Sequence, residues 1–159
     1  MDQQKKKEFE NNLEKMKRIC SYKEQCKSEI LQKLKTSYLN DDEKSEIIKI
    51  LEQEKFINEN RYAFAFANDK FKFNKWGKIK IHNALKNKSI PENFIQSALN
   101  AIDNEEYKTM LFKEFKKKLN SLKEKDVYKK KAKLMMFAKS RGYDFEEVNA
   151  FCENFLSSG

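Results

Sequence analysis

The chain has 159 residues and a net charge of +9, carried by 34 basic residues of which only Arg18, Arg61 and Arg141 are arginines. With 3 Gly, 1 Pro and two Val, against 13% aromatic residues, it is a poor strand-and-turn sequence and a good helical one with enough apolar volume for a core. The basic balance suits a polyanion or an acidic protein groove, and the scarcity of arginine forks argues against a dedicated phosphate reader.

The opening "MDQQKKKEFENN" holds no apolar run that could serve as a signal peptide, and no later stretch is apolar enough to span a bilayer. The expectation is a cytoplasmic chain with no membrane partner, whose Cys20, Cys26 and Cys152 are reduced thiols. Cys20 and Cys26, with a single His in the protein, supply too few ligands for a zinc site. Residues 4–19 read as an additional helix of weak amphipathicity, within an N-terminal extension over 1–19.

A repeat organises the rest of the chain. "LKTSYLNDDEKSEIIKIL", "LKNKSIPENFIQSALNAI" and "AKSRGYDFEEVNAFCENF" share one apolar skeleton. With Leu34, Leu85 and Ala138 aligned, the next apolar positions are Leu39, Ile90 and Tyr143. Then come Ile47, Ala98 and Phe151; Ile48, Leu99 and Cys152; and Leu51, Ile102 and Phe155. A period near fifty residues belongs to helical repeat arrays. Each unit reads as helix, tight turn, helix: Asn40 and Asp144 are N-caps, Pro91 suits a first helical turn, and Gly142 ends the preceding helix. A third helix follows in the first two units, capped by Asn58 over 59–72 and by Asp103 or Asn104 over 105–121. The predicted fold is all-α: tandem three-helix modules at 20–73, 74–123 and 124–159, the last truncated, in an elongated curved array. The closing "SSG" reads as a frayed end.

In the helix over 59–72, Tyr62, Phe66 and Phe73 share a narrow arc flanked by Ala63 and Ala67, which is read as core. Arg61, Ala65, Asn68 and Lys72 fall opposite, with Phe64 and Phe71 at the border. In the next helix, read over 76–88, Ile81, Ala84 and Leu85 form the buried face while Trp76, Lys80, Asn83 and Asn87 align on another. One Trp, one Lys and two Asn make an unusual core stripe and a reasonable contact surface. The alternative is that Trp76 packs at the joint between modules. The candidate partner-binding set is Arg61, Asn68, Lys70, Lys72, Trp76, Lys80, Asn83 and Asn87.

Charge is segregated. Residues 70–88 carry +7 with no acid, and 113–133 carry another +7, so the rest of the chain nets −5. Lys116, Lys117, Lys118, Lys129, Lys130 and Lys131 are the candidate DNA or polyanion contacts; a solvated lysine face is the plain alternative. No catalytic constellation, phosphate loop or nucleophile elbow is present, so no enzyme activity, cofactor, metal or small-molecule substrate is expected.

The ordered stretch "FINENRYAFAFANDKFKFNKWGKIKIHNALKNKSI" resembles the RecX regulators of bacterial recombination. The resemblance lies in Asn58 and Asn60, Arg61-Tyr62-Ala63, Lys70 and Lys72, Gly77, Ile81 with Leu85, and Ile90. The later "KAKLMMFAKSRGYDFEEVNAF" is similar to that family's closing unit, through Lys133, Arg141, Gly142, Tyr143, Asp144 and Val148. Three positions depart from the pattern: Asn60 stands where an acid is usual, and Ser89 and Tyr38 stand where Gly is typical. The resemblance implies a small non-enzymatic modulator that binds the RecA recombinase filament and restrains its assembly, ATPase and strand exchange, with weak non-specific DNA binding. A direct DNA-binding helical protein and a structural repeat scaffold are the other open classes.

Overall fold

The computed structural model describes residues 2–156, and the tail read as frayed lies outside them. Nine helices and no strand occur among the described residues: α1 (Gln3–Tyr22), α2 (Lys27–Leu34), α3 (Asp41–Gln53), α4 (Glu59–Asn74), α5 (Lys78–Asn87), α6 (Glu92–Asn100), α7 (Asn104–Ser121), α8 (Val127–Arg141) and α9 (Phe145–Phe155). The expected all-α repeat is the observed fold, and α2–α3, α5–α6 and α8–α9 are its repeated helix pairs.

Helix starts follow local chemistry. Asn40 accepts from the Glu43 N–H at 2.8 Å while the Glu43 carboxylate accepts from the Asn40 N–H at 3.0 Å, a reciprocal cap that satisfies two orphan donors. Asp144 and Glu147 repeat that exchange at α9. In the middle unit Pro91 is itself the N-cap, one position earlier than a first-turn placement, and its carbonyl receives the Phe94 and Ile95 N–H groups. Asp103, not Asn104, caps α7.

The helix pairs end their first helix in the same way in the second and third units. The Ile90 N–H reaches the Leu85 carbonyl at 3.2 Å and the Tyr143 N–H reaches the Ala138 carbonyl at 2.9 Å. Each wraps a left-handed residue, Ser89 at φ 62° and Gly142 at φ 81°. The skeleton residues are buried throughout, except that Phe155 is 45% exposed where Leu51 and Ile102 are covered.

Two cores result. Met16, Ile30, Leu34, Leu39, Ile47, Ile48, Leu51 and Ile57 form the first, with Phe9 and Leu13 of α1 packed against it. The N-terminal helix is thus amphipathic enough to cover α2 and α3. The larger core runs from Tyr62 through Leu85 and Phe115 to Leu156, uniting α4–α9. Glu29 of α2 links the two: its carboxylate accepts from the Cys26 N–H, the Tyr62 hydroxyl and the Lys88 ammonium, at 3.0–3.1 Å.

The seam between α5 and α8 is made of backbone. Gly77 donates to the Arg141 carbonyl at 2.6 Å, and Ile79 donates to the Gly142 carbonyl at 3.1 Å. Between them the Lys78 N–H donates to the Tyr107 hydroxyl at 2.9 Å. Orphan donors of one helix start thereby satisfy orphan acceptors of another helix end. A Cβ on Gly77 would stand 2.2 Å from the Gly142 carbonyl oxygen, and one on Gly142 would stand 2.3 Å from the Lys80 Cβ. Tyr143 closes the seam by donating to the Lys75 carbonyl at 2.5 Å; burial pushes its phenol up to about 12.

Candidate partner-binding surface

The α4–α5 junction holds Trp76. Its ring is half-buried, edge-on to Phe66 at 6.2 Å, and lies between two ammonium groups, Lys70 Nζ at 4.8 Å and Lys80 Nζ at 4.5 Å. Each such contact contributes about 0.5–1 kcal/mol at an exposed site. Trp76 is not on α5, where helical phase puts it, because Lys75 adopts a left-handed φ of 58° and Gly77 caps the helix. The loop nonetheless returns the ring to Lys80.

From Lys80 the surface continues across the seam. Lys80 Nζ donates to the Ser140 carbonyl at 3.2 Å. The neighbouring Arg141 lies over the Phe137 ring at 4.9 Å and pairs with Glu114 at 3.0 Å. Lys118 approaches the same Phe137 ring at 5.7 Å. Two cation–ring–cation sandwiches, Lys70–Trp76–Lys80 and Arg141–Phe137–Lys118, therefore form one ribbon across the seam. Its two halves are fixed relative to one another by the glycine seam.

The ribbon gathers only part of the predicted set. Asn68 and Lys72 face elsewhere, lining a cavity of about 460 Å³ between α4 and the α6–α7 turn, with Phe64, Ile102 and Glu106. Arg61 is turned to the first core: it pairs with Glu24 at 2.5 Å and donates to the Lys55 and Phe56 carbonyls at 3.1 and 3.3 Å. Asn83 and Asn87 stay exposed along α5, with Asn83 Oδ1 3.4 Å from His82 Nδ1. His82 contacts the Glu92 carboxylate at 2.7 Å, and that contact holds Glu92 below the usual carboxylate range. Of the lysines predicted to meet polyanions, Lys116, Lys117 and Lys129 are exposed, and Lys116 lies over the Phe112 ring at 5.5 Å. Lys118, Lys130 and Lys131 are half-buried.

The core assignment of α4 needs correcting at its end. Phe73 is 78% exposed, whereas Phe71, placed at the border of the buried arc, is 5% exposed. The arc is centred on Ala63 and Ala67, with Phe71 drawn in by Tyr107 of α7 at 5.8 Å. Phe137 and Arg141 are half-buried residues that the candidate partner-binding set left out, although Arg141 stood out as one of three arginines. Their spacing of four on one helix beside a lysine run was the available signal.

No group of three or more potential metal ligands converges among the described residues. No helix among them is long and apolar enough to cross a membrane.

Comparison with known proteins gives a consistent result. Residues 58–99 match the family model described as the second three-helix domain of RecX, and residues 105–152 match that of its third three-helix domain. The regulatory protein RecX of Clostridium perfringens strain 13 is 30% identical over 132 residues, covering 82% of this chain and 61% of that protein. That of Clostridium beijerinckii is 30% identical over 142 residues, covering 88% and 66%. The chain thus spans less than two thirds of these relatives. The crystal structure of RecX from Lactobacillus salivarius superposes with a TM-score of 0.81 at 19% identity, over 96% of this chain and 99% of that one. A second crystal structure, of regulatory protein RecX, gives a TM-score of 0.84 at 19% identity, over 97% and 80%.

Proposed function

The chain belongs to the RecX family of regulatory proteins, and from that premise we propose that it is a non-enzymatic regulator of homologous recombination and DNA repair that binds the RecA nucleoprotein filament and restrains its assembly, ATPase and strand exchange. The observation that carries this reading is the cation–aromatic ribbon from Lys70 to Lys118, with Trp76 between two ammonium groups. Half-buried aromatics ringed by cations concentrate binding energy, each anchor contributing about 1–3 kcal/mol. A ribbon held on two rigidly joined modules meets a periodic surface without the entropy of ordering a loop.

Asn83 and Asn87 lie beside the ribbon and serve as peripheral contacts in this reading, whereas Asn68 and Lys72, which line the cavity on the other side of α4, make no contact with the partner in it. Arg61 acts through the fold, by tying the α3–α4 turn to Glu24. The exposed lysines Lys116, Lys117 and Lys129 add a weak, non-specific attraction for DNA phosphates that weakens as salt rises.

The reading is tested by co-sedimentation with RecA filaments assembled on single-stranded DNA with a slowly hydrolysed nucleotide. Retention on filaments at physiological salt, well above that on naked DNA, is the expected result. Equal retention on naked DNA would move the function to direct DNA binding.

A further inference from the structure

The outward flank of α8 carries a second surface, distinct from the ribbon and sharing only Lys129 with the lysines that attract DNA phosphates. Tyr128, Ala132 and Met136 recur every four residues, so they form one stripe spanning about 80° of arc and about 12 Å of helix. It is bare: Tyr128 is 85% and Met136 73% exposed, and Ala132 between them is exposed too. Lys129 and Lys133 rim one side of the stripe, and Lys139 lies within its arc toward the other. From Val127 to Tyr143 the chain contains no acid at all. Lys133 is paired with Glu124, while Lys129 and Lys139 make no ion pair among the described residues. Phe137 and Arg141 lie on the other flank of the helix, so the stripe is separate from the ribbon.

We propose that this face docks a helix of a partner protein whose own apolar stripe is flanked by carboxylates. Charge complementarity selects that occupant. The centre is apolar and the unpaired charges beside it, Lys129 and Lys139, are both cationic, which is the anatomy of a protein interface core with its polar edge. A large–small–large order lets a second helix approach over Ala132 while Tyr128 and Met136 embrace it. A methionine supplies adaptable apolar contact. The stripe carries one exposed aromatic, Tyr128, whereas strand-binding grooves present successive aromatics. The proposal does not rest on RecA binding by the ribbon, and either can fail alone.

The test uses the full chain and fluorescence anisotropy with three labelled probes: a helical peptide carrying Leu at every fourth position flanked by Glu, its scrambled isomer, and oligothymidylate. The parent should bind the designed peptide at least about tenfold more tightly than the scramble. Tyr128→Asp with Met136→Asp should lose that preference, and so should Lys129→Glu with Lys139→Glu. The charge-reversed protein should then recover binding to a peptide with Lys in place of Glu. Circular dichroism and melting confirm that each variant is folded; the charge-reversed pair keeps the test open if the aspartates unfold the chain. Equal binding of the scramble, or unchanged binding by both variants, would overturn the proposal. Loss of oligothymidylate binding without loss of peptide binding would assign the stripe to nucleic acid and overturn it equally.

Discussion

Glu29 is a single carboxylate on which several elements converge. Burial works against its charge, but the Lys88 ammonium, the Cys26 N–H and the Tyr62 hydroxyl together hold its pKa below the ordinary value. A depressed carboxylate stabilises the fold above its unfolded pKa, and that contribution is lost as pH falls through the folded one. Glu29→Gln should therefore cost about 1–2 kcal/mol at neutral pH. The difference from the parent should shrink as urea unfolding is repeated at progressively acidic pH, and a difference that grew on acidification would refute the assignment. Ser89 tests the opposite case, a residue that fits its place badly. Its φ of 62° costs a non-glycine residue about 1–2 kcal/mol, part of which glycine returns to the flexible unfolded chain. Ser89→Gly should stabilise by about 0.5–1 kcal/mol, read as a higher melting temperature. The resemblance marks Ser89 as standing where glycine is typical; the strain it carries is visible only in the folded turn.

Among the elements, caps and repeated turns were legible because they depend on residues three to five apart. Asn40, Asn58, Asp103 and Asp144 start their helices where their chemistry places them. What sequence could not show is how elements distant in the chain meet. Phe71 is buried because Tyr107 crosses it, and nothing near Phe71 announces that contact. The same is true of the seam, where Gly77 and Gly142 touch across 65 residues. Each looks locally like an ordinary helix boundary. Gly77→Ala should destabilise by about 3 kcal/mol, since its Cβ meets the fixed backbone of Gly142 first and the buried Tyr143 ring beside it. Leu85→Ala, which opens a cavity in a fully buried site, should cost about 2–5 kcal/mol. The two can be told apart by amide exchange: the glycine variant should expose α5 and the α8 end first, whereas the leucine variant should loosen the whole larger core.

On the scale of the molecule, the skeleton at Leu34, Leu85 and Ala138 made the repeat readable, and all three residues are buried. The candidate surface was readable only in part. Composition drew attention to Trp76 and its lysines, but helical phase alone grouped Trp76 with Asn83 and Asn87 and separated it from Lys70. The left-handed turn at Lys75 regroups them, and the seam adds Arg141 and Phe137 from the neighbouring module. In the proposed function this composite ribbon grips the RecA filament. The most direct measurement is inhibition of RecA's DNA-dependent ATPase by Lys70→Glu with Lys80→Glu, beside Lys72→Glu as a control on the other side of α4. The double variant should melt within a few degrees of the parent and inhibit at least about tenfold less, while Lys72→Glu should inhibit nearly as the parent does. Full inhibition by a folded double variant would contradict the proposed grip.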